Sequence, residues 1–343
     1  MSEPFITTRA DAGTRLRPSP ASPRGAFAGR VAANRPLCTD HYRLTLVVPG
    51  FPPSVPGQFV QLDCRERRAA SPETAAPRMF DWSPQAGEGG TRPVPADPDF
   101  AAPLAFLRRP FSIADHRPHA GGAAEIDIIH RVVGRGTGLL AKLRPGAEVS
   151  LLGPLGVGFP VPADLGFACL VGGGVGIPPM LYLAKILAGR QCRRVAFLGA
   201  QRHDLLPVTL AGPEPSPAGK PLMNVAELNA CDCPAVITTD DGSAGMKGFV
   251  TQALRQFLAG HAHPRTIVYC CGPTPMMKAT GRAAAEFGVP CLASLEQPMA
   301  CGMGTCQSCI IRYRPHAAPP QTDWSYKLTC TDGPVFDTRD ILW

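Results

Sequence analysis

No stretch of this sequence stays apolar over the about 20 consecutive residues that a membrane-spanning helix needs. The nearest approach, "FACLVGGGVGIPPMLYLAKIL" (167–187), is broken by glycines, two prolines and a lysine, so no membrane association is expected. Aromatic residues are scarce, at 7% of the chain, and the arginines are scattered rather than interleaved with them. Nucleic-acid binding therefore has no support, despite a net charge of +7. The opening residues "MSEPFITTRADAGTRLRPSPASPRG" lack the apolar core of a secretory signal. Glu3, Asp11 and the prolines also count against an amphipathic transit helix, and the segment reads as a disordered tail. By contrast, the chain holds 13 cysteines. Without an export signal these point to a reducing, cytoplasmic setting, where thiols are metal ligands or buried small hydrophobes rather than disulfides.

A length of 343 residues, 45% hydrophobic and 18% charged, suggests a soluble protein of two or three domains. Residues 28–63 read as strands: "GRVAANRPL", "YRLTLVV" and "GQFVQLDC" alternate β-branched and aromatic with polar residues, and "PGFPPSVPG" supplies a turn. Residues 65–103 hold seven prolines among many alanines and glycines. This stretch reads as an insertion without a regular element. Strand patterns resume in "LRRPFSIAD", "AEIDIIHRVV" and "AEVSLLGPLG", and the many short strands indicate a small antiparallel barrel. From Phe167 the pattern changes to strands alternating with helices, the signature of a parallel sheet with covering helices.

Near the C-terminus, Cys301, Cys306 and Cys309 have the spacing C-x4-C-x2-C, and Cys330 follows. That is the plant-type [2Fe–2S] spacing, in which four thiolates converge on two irons. Gly302 and Gly304 give the loop access to conformations closed to other residues and bring backbone N–H groups toward the sulfurs. A structural zinc site is the competing reading, although it favours paired C-x2-C knuckles and only one such pair occurs here. Of the other cysteines, Cys38, Cys64, Cys169, Cys192, Cys231, Cys233, Cys270 and Cys291 lie in or beside strand-like apolar runs and read as inert buried thiols. "CDC" at 231–233 would place two of them on one strand face.

Four further motifs suit nucleotide chemistry. In "RRPFSIAD", Arg109 can pair with a phosphate, Pro110 fixes the backbone, and Ser112 can hydrogen-bond a flavin or phosphate edge. "GRGT" (134–137), followed by a helical run, offers glycines, a hydroxyl and a helix N-terminus for a pyrophosphate. "VGGGVGIPPM" (171–180) follows a buried strand and opens a helix, the context of a dinucleotide-binding turn, though it is not the standard G-x-G-x-x-G. Tight strand–helix packing would also explain its glycines. "YCCGPTPMM" repeats the form, with Cys271, Gly272 and Pro273 at the carboxyl end of a strand.

Taken together, "RPFS", "GRGT", "GGGVGIPPM", "TDDGSAGMKGFVT", "YCCGPTPMM", "SLEQPMACGMGTCQSC" and "CTDGPVFD" span residues 109 to 337. In that order they resemble the ferredoxin-reductase superfamily and, within it, the iron–sulfur electron-transfer subunit of NAD-linked (type B) dihydroorotate dehydrogenase. The resemblance implies a multidomain β + α/β protein: an antiparallel FAD-binding β-barrel over 28–158, a parallel-sheet pyridine-nucleotide-binding domain over 159–290 and a small [2Fe–2S] domain over 291–343, after a tail at 1–27. It implies FAD at Arg109, Pro110, Phe111, Ser112, Ile129, His130, Arg131, Gly136 and Thr137. NAD(H) would approach Gly173, Gly174 and Cys271, and the cluster ligands would be Cys301, Cys306, Cys309 and Cys330. The expected activity is relay of electrons from the FMN of a catalytic dihydroorotate dehydrogenase subunit through the cluster and FAD to NAD+, in a heterotetramer of two plus two chains. No acid–base dyad or nucleophilic triad is visible. Related complexes built on the same motifs, such as a ferredoxin:NADP transhydrogenase, a sulfhydrogenase or a sulfite reductase, are the alternative, and a zinc-stabilised binding module is the alternative of another class. Three features depart from the family pattern: the insertion after Cys64, the long spacer between Cys309 and Cys330, and Pro298 where a polar residue is usual.

Overall fold

The computed structural model describes residues 23–65, 80–84, 91–95, 107–261, 263–319 and 322–343. The expected tail, up to residue 22, and most of the insertion lie outside the described residues. The first strands are β1 (Gly25–Cys38), β2 (His41–Pro49) and β3 (Phe59–Leu62). Along β2, Leu44, Leu46 and Val48 are buried and the residues between them are not, which is the period of two expected of a half-buried strand. Within the insertion, β4 (Phe80–Pro84) and β5 (Thr91–Pro95) pair antiparallel, so the segment carries a regular element after all. Both strands of an isolated ribbon are edges, and edge strands tolerate proline.

After β6 (Arg109–Ser112), β7 (Asp115–His119) and β8 (Ala123–Arg131) come the short helix α1 (Arg135–Leu140) and β9 (Glu148–Leu155). The strands other than β4 and β5 form one sheet in the order β6-β3-β9-β1-β2-β8-β7. Its two edge strands are separated in sequence by Ile113 and Ala114 alone, so the sheet rolls until its edges meet. Ile113 N–H donates to Gln58 O at 3.1 Å and Ala114 N–H to Asp127 O at 2.8 Å, closing the expected barrel. Inside it, Leu44, Leu46, Val60, Leu62, Ile126 and Leu151 are fully buried, each contributing about 1.5–3 kcal/mol relative to exposure.

The second sheet is built from β10 (Phe167–Gly173), α2 (Ile177–Ala188), β11 (Arg193–Ala200), α3 (Ala226–Asn229), β12 (Ala235–Thr239), β13 (Met246–Lys247), α4 (Val250–Gly260), β14 (Thr266–Cys271), α5 (Thr274–Glu286) and β15 (Cys291–Ser294). Every residue of β10 and β14 is buried, because helices cover both faces. Ala168 and Leu170 pack with Met180, Leu183 and Leu187 of α2, whereas Cys169 and Val171 pack with Leu254 of α4 and Met277 of α5. Strand order is β13-β12-β11-β10-β14-β15-β18, parallel except for its last member, β18 (Val335–Asp337). Thus β15 and β18, expected in the cluster domain, belong to the nucleotide sheet, and β1 begins inside the expected tail. Cys231 and Cys233 sit in a turn around Asp232, which has φ of 50°, not on a strand. None of the described helices is long and apolar enough to cross a membrane.

The remaining element is a hairpin of β16 (Ile310–Tyr313) and β17 (Ser325–Leu328), with Ile310 opposite Leu328. The two large sheets are tied directly. Tyr182 of α2 donates its hydroxyl to Ser54 O at 2.6 Å, and Lys185 pairs with Asp115 at 2.7 Å.

Candidate functional site

In a doubly wound sheet, ligands bind where the strand order reverses, beyond the carboxyl ends of the strands. Here that point lies between β10 and β14, where Gly172 is paired with Cys271. The expected residues Gly173, Gly174 and Cys271 all stand at this crevice. Gly174 has φ of +53° and open space where a side chain would start. Gly172 and Gly176 serve packing instead. A Cβ on Gly172 would lie 2.9 Å from Ile177 Cα, and one on Gly176 would lie 2.2 Å from the Cys271 carbonyl oxygen. The tight-packing explanation therefore holds for part of the glycine run, and the open position is left for a ligand. Pro178 and Pro179 start α2, where their missing N–H groups cost nothing. Burial pushes the Cys271 thiol up to about 12, so it is neutral at physiological pH. Gly272 and Met276, which the sequence did not single out as site residues, complete this wall: Met276 Sδ lies 2.5 Å from where a Gly173 Cβ would be.

On the barrel side, β6 and β8 bring Arg109–Ser112 and Ile129–Arg131 together. The Phe111 and His130 rings lie edge to face at 6.0 Å, and Tyr42, a residue no motif marked, stacks on His130 at 5.9 Å. Arg109 donates to the carbonyls of Leu107 and Arg108 at 2.9 and 3.3 Å and has no carboxylate partner among the described residues, which leaves its charge for an anion. Arg108 is structural, holding Ser150 O at 2.8 Å. Thr137 is committed to its own turn: its hydroxyl accepts from Val133 N–H at 3.0 Å and Gly134 N–H at 3.2 Å and donates to Gly134 O. Gly136 is buried in the six-residue α1, and Ile129 packs with the nucleotide sheet.

His130 is 1% exposed and neither ring nitrogen has a hydrogen-bond partner among the described residues. Burial, with the nearby His41, pushes its pKa down from 6.5 to about 4. The folded chain thus holds His130 neutral over a range where an unfolded chain takes up a proton. Stability is fully present above the unfolded value of 6.5 and declines as pH falls toward 4, by up to about 3 kcal/mol. Urea unfolding of the flavin-free chain at several pH values checks this. The slope between pH 6.5 and 4 is expected to flatten in His130→Phe, and an equal slope in both proteins contradicts it.

The hairpin explains the long spacer before the fourth cysteine. Cys309 precedes β16 and Cys330 follows β17 by two residues, so antiparallel pairing returns Cys330 to the side of Cys309. Thr329 seals the join, its N–H and hydroxyl both donating to Cys309 O at 3.1 Å. The Cys330 thiol shares a buried cluster with that of Cys309. Cys301 Sγ accepts from Met303 N–H at 3.3 Å and Cys306 N–H at 3.4 Å. Gly302 and Gly304 have φ of +69° and +87°, which this wrapping requires. Cys309 and Cys330 are buried against Phe59 and Leu155 of the barrel, and Cys306 is exposed. Burial and the Cys309 thiol push Cys330 up to about 12, while hydrogen bonds from Ser308 and neighbouring backbone bring Cys306 down to about 6. Among the described residues no three His, Cys, Asp or Glu side chains stand close enough together to hold a metal ion as they are.

A flavin-type antiparallel barrel, a parallel nucleotide sheet and a cysteine loop between them define an oxidoreductase of the ferredoxin-reductase-like class. A profile of the iron-sulfur cluster binding domain of dihydroorotate dehydrogenase B matches residues 296–342, and an oxidoreductase NAD-binding domain profile matches 170–282. The dihydroorotate dehydrogenase B (NAD(+)) electron transfer subunit of Caldanaerobacter subterraneus subsp. tengcongensis is 31% identical over 320 residues, covering 93% of this chain and 100% of that protein. Its counterpart in Geobacillus thermodenitrificans is 37% identical over 241 residues, covering 69% of this chain and 80% of that one. Among solved structures, an NADH-dependent reduced ferredoxin-NADP oxidoreductase superposes with a TM-score of 0.64 at 26% identity, covering 92% of this chain and 90% of that one. The chain belongs to the family of electron transfer subunits of dihydroorotate dehydrogenase B.

Proposed function

We propose that this chain binds FAD on the barrel and a [2Fe–2S] cluster on the C-terminal loop, and that it carries electrons between an FMN-containing dihydroorotate dehydrogenase catalytic subunit and NAD(H) in pyrimidine biosynthesis. The observation that carries the reading is the hairpin that returns Cys330 to Cys309, both resting on Phe59 of β3 and Leu155 of β9, beside the loop in which Cys301 Sγ accepts from Cys306 N–H. β3 is also the neighbour of β6, the strand of Arg109–Ser112. When bound, a flavin exchanges electron pairs with nicotinamide and single electrons with an iron–sulfur cluster. Arg109 would hold a phosphate, Pro110 and Ser112 the flavin edge, and Phe111 and His130 the wall beside it. Ile129 and Arg131 continue that wall, and Gly136 and Thr137 shape the turn after it. Gly173 and Gly174 would admit the pyridine nucleotide, with Cys271 as a neutral group near its reactive end. A limit near 158 suits this division, whereas the nucleotide sheet continues past 290 through β15 and takes in β18.

The cluster loop has a second side. Met303, Tyr326, Trp324 and Ile310, on the loop and hairpin segment that also carries the exposed Cys306, are 55%, 59%, 44% and 40% exposed, a surface suited to the catalytic subunit in an assembly of two plus two chains. The structural likeness to a ferredoxin-NADP oxidoreductase supports a related complex as the second reading. The purified chain is expected to oxidise NADH with artificial acceptors and to leave dihydroorotate untouched, and to gain dihydroorotate-dependent NAD+ reduction on mixing with the catalytic subunit. Dihydroorotate oxidation by the single chain, or no gain on mixing, contradicts the proposal. Iron and FAD per chain, measured after anaerobic purification, test the cofactors.

A further inference from the structure

Two glutamines three residues apart, Gln58 and Gln61, are both buried, at 1% and 0% exposure. Gln58 is fully used: its Oε1 accepts from Val55 N–H at 2.9 Å and its Nε2 donates to Gly156 O at 3.0 Å. Gln61 uses neither atom, and both its Oε1 and its Nε2 are buried without a partner among the described residues. A fully buried and unpaired amide is costly and rare, and where one persists an absent group usually accounts for it.

Its surroundings say which group. On β3, Val60 and Leu62 turn into the barrel core, so Phe59 and Gln61 share the opposite face. Phe59 packs there with Cys309 and Cys330. Gln61 touches the cysteine loop itself, its Nε2 being 2.9 Å from where a Cβ on Gly302 would lie. On its other flank it is paired with Pro110 of β6. Gln61 thus stands between the flavin strand and the loop that wraps Cys301, with an N–H donor to spare.

Resting on the [2Fe–2S] reading above, we infer that Gln61 is a positioning and tuning residue for the cluster, donating its Nε2–H to a cluster sulfur on the barrel side. It adds to the backbone donors that Met303 and Cys306 direct at Cys301 Sγ. Hydrogen bonds to cluster sulfurs stabilise the reduced state, whose charge is more negative, and so raise the reduction potential.

The test is Gln61→Met, similar in length and without a donor, in the FAD- and iron-loaded chain. A redox titration followed by electron paramagnetic resonance is expected to show the cluster midpoint shifted down and its g values altered, with the FAD midpoint unmoved. The cofactor-free variant is expected to melt no lower than the parent, because it loses an unpaired amide. An unmoved cluster midpoint, a shift in the FAD midpoint alone, or a destabilised cofactor-free variant overturns the inference. Failure of the parent chain to hold a two-iron cluster would instead remove the reading on which it rests.

Discussion

Cys330→Ser is expected to give a chain that still oxidises NADH with a two-electron acceptor dye but has lost its iron and more than about 100-fold of its electron transfer to the catalytic subunit. Changes in groups that merely support metal ligands cost about 10–100-fold, and a direct ligand exceeds them. Serine keeps the size of the side chain but cannot present a soft anion at neutral pH, and iron–sulfur sites select thiolate. The position leaves no substitute nearby: Cys330 is 1% exposed and enclosed with Cys309, Phe59 and Leu155. The nucleotide crevice lies on another part of the fold, at Gly173–Gly176 and Cys271–Pro273, which is why the dye reaction survives. The comparison to make is iron content, visible absorbance and both activities in one preparation. Full iron with unchanged partner-linked activity would falsify the assignment of the fourth ligand.

Gly176→Ala is the second large effect. An added Cβ meets Cys271 O at 2.2 Å, Cys271 C at 2.3 Å and Gly272 N at 2.5 Å, all of them backbone atoms that no rotamer change can move. Overpacking of this kind costs about 1–3 kcal/mol, occasionally more. Relief requires β14 and the α2 turn to separate, and those two surfaces form the crevice. A lower melting temperature and an increase of about 10-fold or more in KM for NADH are expected, the latter corresponding to about 1.4 kcal/mol of binding. Gly189→Ala, at the far end of α2, is the control, since its Cβ would meet nothing closer than Ile186 O at 3.8 Å and its φ of −77° is open to any residue. If Gly176→Ala melts and binds NADH as the parent does, the close backbone approach is not a feature of the working protein.

Much of this site was legible because the chemistry needs particular residues at particular spacings. Three thiols within nine positions, and glycines between a buried strand and a helix, are local patterns that local reasoning can read. The barrel strands were visible through their alternation, as in Leu44, Leu46 and Val48. What escaped was set by partners distant in sequence. β7, "DHRPH", has no apolar alternation and is held by charge, with Arg117 pairing to Glu125 and Asp127 of β8. The role of residues 310–328 as a return path appears only once Ile310 faces Leu328. Gln61 looked like one polar position in a strand, and nothing local separated it from Gln58, whose amide is satisfied. β15 and β18 are short enough that only their pairing reveals their sheet.

The segment after the fourth cysteine has a consequence for the life of the protein. β18 lies antiparallel along β15, with Ser294 opposite Val335 and Leu292 opposite Asp337, and occupies what would otherwise be the open border of a parallel sheet. An open border of this kind recruits strands from other molecules. The chain leaves Cys330 and reaches Val335 within five residues, so the cysteine loop is tied directly to the strand that covers that border. Slackening of the Cys301–Cys330 loop is therefore expected to loosen β18 and open that border to strands of other molecules.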